Sequence, residues 1–266
     1  MRPSIIGKTV LPLLRVNCTF SMRILLPFLL FVGGLSPAAS YAQQVMPENG
    51  KRASNSPPKY WGIKADCGPV SFEVNNLNKF FSAKTAAILP QEGSSVVLHA
   101  LASNPVFGYG SLYYERAVAN QSANGSFSTL SLDNHTFGFQ LHKVLLDKRV
   151  KVVLPSLGIG YRLMNLTYNR NTTATVSPDS LLQQPGSFTL RAQNLVVKVG
   201  GAVYYTIRQI SWLSQGEIDL GLTGSYAYSV RQGDWFLIGT NTPVAVPRDK
   251  LDYYTINLSV CFLVNR

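Results

Sequence analysis

Few residues in this sequence have side chains suited to chemistry. Histidine occurs three times, at His99, His135 and His142, and cysteine three times, at Cys18, Cys67 and Cys261. There is no Cys-x-x-Cys pair and no Cys/His cluster with metal spacing, so neither a metal nor another cofactor is expected. No His-x-Ser pattern and no Gly-x-Ser-x-Gly elbow presents an activated nucleophile, so catalysis is not expected either. What does recur is charge set into apolar stretches. Lys64 stands two residues from Asp66, and Glu217 two from Asp219, while His142, Arg162, Lys198 and Arg208 interrupt long apolar runs. A spacing of two puts side chains on one face of a strand. Charges gathered on one such face suit a buried polar network or a narrow solute path.

The elements that must position these residues are strands. From Glu217 to Val230, Ile218, Leu220, Leu222, Gly224, Tyr226, Tyr228 and Val230 fall on one face and polar or small residues on the other. The end of the chain alternates in the same way, with Tyr254, Ile256, Leu258, Val260, Phe262 and Val264 opposite Thr255, Asn257, Ser259 and Cys261. Eight strands are predicted: 60–68, 94–102, 106–117, 135–145, 150–168, 189–208, 213–230 and 253–264. The gaps between them alternate long and short, as in barrels whose tight turns lie in the periplasm and whose long loops face outward. Pairing Arg208 with Glu217 aligns Ile207, Tyr205, Val203 and Val199 with Ile218, Leu220, Leu222 and Tyr226, which predicts a hairpin with one apolar face. The fourth and fifth strands require a three-residue turn or a bulge, and the faces of the second and third are ambiguous. Cys67 and Cys261 fall on opposite faces, so no disulfide between them is expected.

The chain has 266 residues, 46% apolar and 14% charged, with a formal charge of +11 and a mean hydropathy of +0.08. That excludes disorder and a bundle of membrane-spanning helices. The block Ile24 to Leu35, with Arg23 before it and Ser40-Tyr41-Ala42 after it, reads as an export signal cleaved after Ala42, with Met22 an alternative start. Removing the four bases of residues 1–42 lowers +11 to +7. Residues 43–59 read as a polar, flexible lead-in, and 60–266 as the barrel.

With its layout over Tyr60 to Arg266, and Gly/Tyr-rich runs such as Phe107 to Arg116 and Leu157-Gly158-Ile159-Gly160-Tyr161, the chain resembles the small outer-membrane β-barrel family of Gram-negative bacteria, of the OmpA/OmpX-like eight-stranded type. It departs from that pattern in ending Phe262-Leu263-Val264-Asn265-Arg266, without a terminal aromatic. The resemblance implies an all-β, eight-stranded antiparallel up-and-down transmembrane barrel in the outer membrane, and no single activity.

The expected function is therefore a non-enzymatic outer-membrane barrel with a structural or surface-interaction role. Its interior should be filled by a network of Lys64, Asp66, His142, Arg162, Lys198, Arg208, Glu217 and Asp219, because eight strands enclose about enough space for their own side chains. The fifth and sixth strands exceed the roughly 9–11 residues a bilayer requires, so their outer ends should project as a sheet able to pair with a surface protein. Trp235 and Phe236 in the last long loop would cover the mouth or meet that partner. Outer-membrane lipid and phosphate-bearing lipopolysaccharide are the other expected partners, nucleic acid is not, and the barrel should be a monomer. The alternative is a soluble, lipocalin-like barrel with its apolar face inward around a small apolar ligand. A lipid A-modifying enzyme, for which His135 is the one candidate, and a narrow pore rank below both.

Overall fold

In the computed structural model, residues 60–85, 88–104, 107–120, 128–170, 186–210, 213–240, 242–247 and 251–265 are described, apart from the side chains of 83–85, 104, 128, 170, 208–210, 213–215 and 265. The expected signal segment, alternative start and lead-in fall outside these residues. The strands are β1 (Tyr60–Phe72), β2 (Glu92–Asn104), β3 (Gly108–Asn120), β4 (Ser128–Asp147), β5 (Val150–Arg170), β6 (Ser187–Ile210), β7 (Leu213–Gln232), two short strands β8 (Trp235–Leu237) and β9 (Thr242–Val244), and β10 (Tyr253–Asn265). One helix, α1 (Asn75–Thr85), follows β1. The sheet runs β5-β4-β3-β2-β1-β10-β7-β6 and closes by pairing β5 with β6, which makes an eight-stranded antiparallel barrel. We call "lower" the end that holds Tyr60, Asn265 and the connection of β4 to β5, and "upper" the end that holds α1, β8 and β9.

The predicted β6–β7 hairpin is present in the predicted register: Arg208 faces Glu217, Tyr205 faces Leu220, Val203 faces Leu222 and Val199 faces Tyr226. Matched apolar faces specify register strongly, because a slip of one residue would turn every side chain over. Between β4 and β5, bulges at 142–146 reconcile the two strands across the tight connection at Lys148 and Arg149. β2 and β3 turn His99, Ser111, Tyr113 and Glu115 inward. Cys67 and Cys261 are free thiols.

Over the lower half the exterior is apolar. Leu112 (66% exposed), Leu222 (55%), Ile256 (57%) and Leu258 (70%) stand on it, and Leu222 lies between Val203 and Leu258 on its neighbours. The alternative with the apolar face turned inward is thereby corrected, since the lower interior takes the charged set instead. At one height both faces change sign. On β5 the outward series Leu157, Ile159, Tyr161, Leu163 continues as Asn165, Thr167, Asn169, while the inward series passes from Arg162 to Met164 and Leu166. On β4, β6 and β3 the inward residues likewise become Leu132 and Leu130, Ala192 and Leu190, Ala117 and Ala119. Outside, β6 turns from Leu195 to Gln193 and Arg191, and β4 from Phe137 to His135 and Asp133.

The upper interior is an apolar core filled by the first and last long connections. Val74, Leu77, Phe81 and Leu89 enter it from α1 and its flanks, and Trp235, Val246 and Leu251 from the chain between β7 and β10. α1 forms where Val74, Leu77 and Phe81 recur at helical spacing, and the Asn78 side chain closes its loop by accepting from Leu89 N–H and donating to Leu89 C=O. Fully burying a side chain of this size contributes about 1.5–3 kcal/mol. The long upper ends of the strands are thus not an open sheet. Their inner face is packed, and on the β7 side the upper end of β6 pairs with β8, Leu190 with Leu237 and Arg191 with Phe236.

Candidate functional site: a charged lumen

The lower interior is where the charged residues converge, because each occupies an inward position of its strand. Lys64 and Asp66 on β1 form an ion pair of 2.9 Å. Lys198 on β6 reaches across to Glu115 on β3 at 2.8 Å, with its ammonium 5.3 Å from the centre of the Tyr113 ring. Gly138 and Gly160, paired on β4 and β5, make the space for that ring. A Cβ on Gly160 would lie 2.6 Å from the Tyr113 hydroxyl, and one on Gly138 2.7 Å from the ring. Lys151 on β5 donates to Glu217 at 2.5 Å and Asp219 at 2.7 Å, and Thr206 donates to the other Asp219 oxygen at 2.7 Å.

Of the predicted network, Lys64, Asp66, His142, Arg162, Lys198, Glu217 and Asp219 are inward and buried. Arg208 holds its predicted register opposite Glu217, but its side chain lies outside the described set. Glu217 is paired with Lys151, which sequence reasoning passed over. Glu115, His99 and Ser111 were missed as well. With them, the described residues of the lower lumen include the cations Lys64, Lys151, Arg162 and Lys198 and the carboxylates Asp66, Glu115, Glu217 and Asp219. Pairing matters because an unpaired charge buried in such a space costs several kcal/mol.

Five successive strands contribute one residue each to a hydrogen-bonded belt. Asp66 Oδ2 meets His99 Nε2 at 3.2 Å, His99 Nδ1 meets Ser111 Oγ at 3.2 Å, Ser111 Oγ meets His142 Nε2 at 2.9 Å, and His142 Nδ1 meets Ser156 Oγ at 2.9 Å. The residue types are those of a nucleophile, its base and an orienting acid. The cavity beside the belt, lined by Lys64, His142, Lys198 and Tyr204 among others, has about 20 Å³, room for a water and not for an acyl group. His135 is outside the lumen, hydrogen-bonded to the Tyr114 hydroxyl at 2.8 Å.

Arg162 marks the boundary between the polar and apolar halves of the interior. Fully buried, it donates from Nη1 to the Leu251 carbonyl at 2.8 Å and to Ser229 Oγ at 3.2 Å, and its guanidinium lies 4.5 Å from the Tyr253 ring centre. It thereby ties the β5 wall to the chain that enters β10. Next to it, the Asp252 carboxylate accepts from Ser229 N–H at 2.8 Å and the Asp252 carbonyl from Glu73 N–H at 2.9 Å, so the two filling connections are joined. Of the two residues expected to cover the mouth or meet a partner, Trp235 is only 1% exposed and packs inside this core, whereas Phe236 is 40% exposed and points outward.

No family model matches the sequence, and no curated protein matches it. Solved structures with a similar chain path include Neisserial surface protein A (NspA), at 13% identity over 77% of this chain and 97% of that one, with a TM-score of 0.38. A major outer membrane protein from Thermus thermophilus aligns at 11% identity over 78% and 99%, TM-score 0.40. The outer membrane protease OmpT from Escherichia coli aligns at 7% identity over 80% and 98%, TM-score 0.32. Independently of these likenesses, the pairing and packing of its own strands make this chain a closed eight-stranded antiparallel β-barrel, charged and filled within its lower half and apolar outside it.

Proposed function

We propose that the protein is an integral outer-membrane β-barrel without enzymatic activity, exported by a cleaved signal and anchored with its filled upper end toward the cell exterior. The observation that carries this reading is the simultaneous change of sign on both faces of β4, β5 and β6. A wall in a single solvent keeps one face apolar along its whole length. A wall that is apolar outside and polar inside below, then polar outside and apolar inside above, suits lipid around its lower half and water around its upper half. The tight connection of β4 to β5 and both barrel termini share the lower end, which supports reading that end as periplasmic by the usual asymmetry of such barrels.

The lumen acts in this reading as a permanent plug that fixes strand register, since its three lysines are each paired with carboxylates, Arg162 is bonded to Leu251 and Ser229, and the cavities are the size of a water. Interaction with the surroundings falls to the outer rim, where Phe236 and Ile238 are exposed, and to the lipid and lipopolysaccharide around the wall. Fractionation tests the membrane reading. The protein is expected with outer membranes, migrating faster on a gel when unheated than when boiled. Recovery as a soluble periplasmic protein that migrates identically either way would contradict it.

A further inference from the structure

We propose that the lower connection of β4 to β5 is a docking surface for the phosphate of an anionic phospholipid in the leaflet that faces the periplasm. The inference rests on the membrane reading above and adds a partner to it. Lys143, Lys148 and Arg149 are exposed on this hairpin beside one exposed carboxylate, Asp147. Interleaved with them are exposed apolar side chains: Leu145 (60%), Leu146 (39%), Val150 and Leu154. Cationic heads beside apolar stems on one turn are what a membrane interface selects.

Arg149 is held ready for such a contact. Its Nε donates to the Tyr205 hydroxyl at 2.7 Å, its guanidinium lies 5.4 Å from the Tyr205 ring centre, and its carbonyl accepts from Thr206 N–H at 2.9 Å. The Nε bond leaves the two terminal nitrogens of the fork, which match two oxygens of a phosphate. Tyr205 and Trp61 are exposed on the lower exterior, in the manner of an interfacial aromatic belt. With three exposed cations against one exposed carboxylate on a single turn, charge complementarity favours an anionic partner at the lower hairpin, and its end of the barrel favours phospholipid over lipopolysaccharide as the source of the phosphate.

The test is lipid retention by the full protein, purified from micelles containing equal phosphatidylglycerol and phosphatidylcholine and analysed by mass spectrometry. Retained lipid is expected to be enriched in phosphatidylglycerol, with the enrichment lowered by up to about fivefold per cation removed as Lys143→Gln, Lys148→Gln or Arg149→Gln. Asp147→Asn, which removes the local carboxylate, is expected to raise it. Retention in bulk proportion, or enrichment unchanged in the triple glutamine variant, overturns the proposal. So does displacement of phosphatidylglycerol by lipopolysaccharide through the same three residues. Failure of the same protein to insert into vesicles of phosphatidylglycerol and phosphatidylcholine would instead count against the membrane reading, whereas insertion with no enrichment in the retained lipid counts against this inference alone.

Discussion

Replacing Lys151 by methionine is expected to destabilise the barrel by about 3–5 kcal/mol. The ammonium of Lys151 is 1% exposed and holds both Glu217 and Asp219. Without it, Glu217 and Asp219, neighbouring inward carboxylates of β7, would lose the cation they share in a lumen with little room for water. The companion change separates charge from packing: Lys151→Met combined with Glu217→Gln and Asp219→Asn removes the repulsion and should recover most of the loss, because a neutral, well-filled site often matches a buried ion cluster. The measurement is the denaturant midpoint of the barrel in vesicles for each variant. Equal midpoints for wild type and Lys151→Met would show that the two carboxylates do not depend on this lysine.

The second large effect belongs to the exterior. Leu222→Arg places a charge in the middle of the lower apolar face, between Val203 and Leu258. Facing lipid, that costs about 2–4 kcal/mol at mid-depth. The same substitution at Thr167 or Gln193, above the height where the faces change sign, should stay within about 0.5 kcal/mol, as surface substitutions do. A barrel surrounded by water would show no such contrast, since Leu222 is already 55% exposed and gives up little packing. Unfolding midpoints of the three variants, measured side by side, check the expectation.

The strands were legible in the sequence wherever one face stayed apolar, and the β6–β7 register followed from pairing those faces. Lys151 was not, for a physical reason. A register shift between Val153 and Ser156 reverses the alternation of β5, so Lys151 and Arg162 both point inward despite an odd spacing. His99 was hidden because Val96, Val97 and Leu98 supply apolar residues to both faces of β2, leaving no contrast to read. With His99 unplaced, the belt from Asp66 to Ser156 could not be assembled, although His142 was recognised as inward. The upper core went unseen because alternation persists through Arg162, Met164 and Leu166 while the chemistry of each face is exchanged. Periodicity records that two faces differ and is silent on which solvent each one meets. α1 was masked in the same way: Val74, Leu77 and Phe81 carry a helical spacing, but over too short a stretch to stand out among strands.

Labelling along one strand is the sharpest test of whether the lower exterior faces lipid while the upper exterior faces water. In a Cys67→Ser, Cys261→Ser background, single cysteines replace outward residues of β6 in turn: Val203, Val199 and Leu195 below the change of sign, Gln193, Arg191 and Thr189 above it. The protein is then treated in native membranes with a charged maleimide that does not enter lipid. Rapid reaction is expected at 189, 191 and 193, with protection at 195, 199 and 203 until the membrane is dissolved. Equal reaction at all six positions would contradict a lipid-facing lower wall.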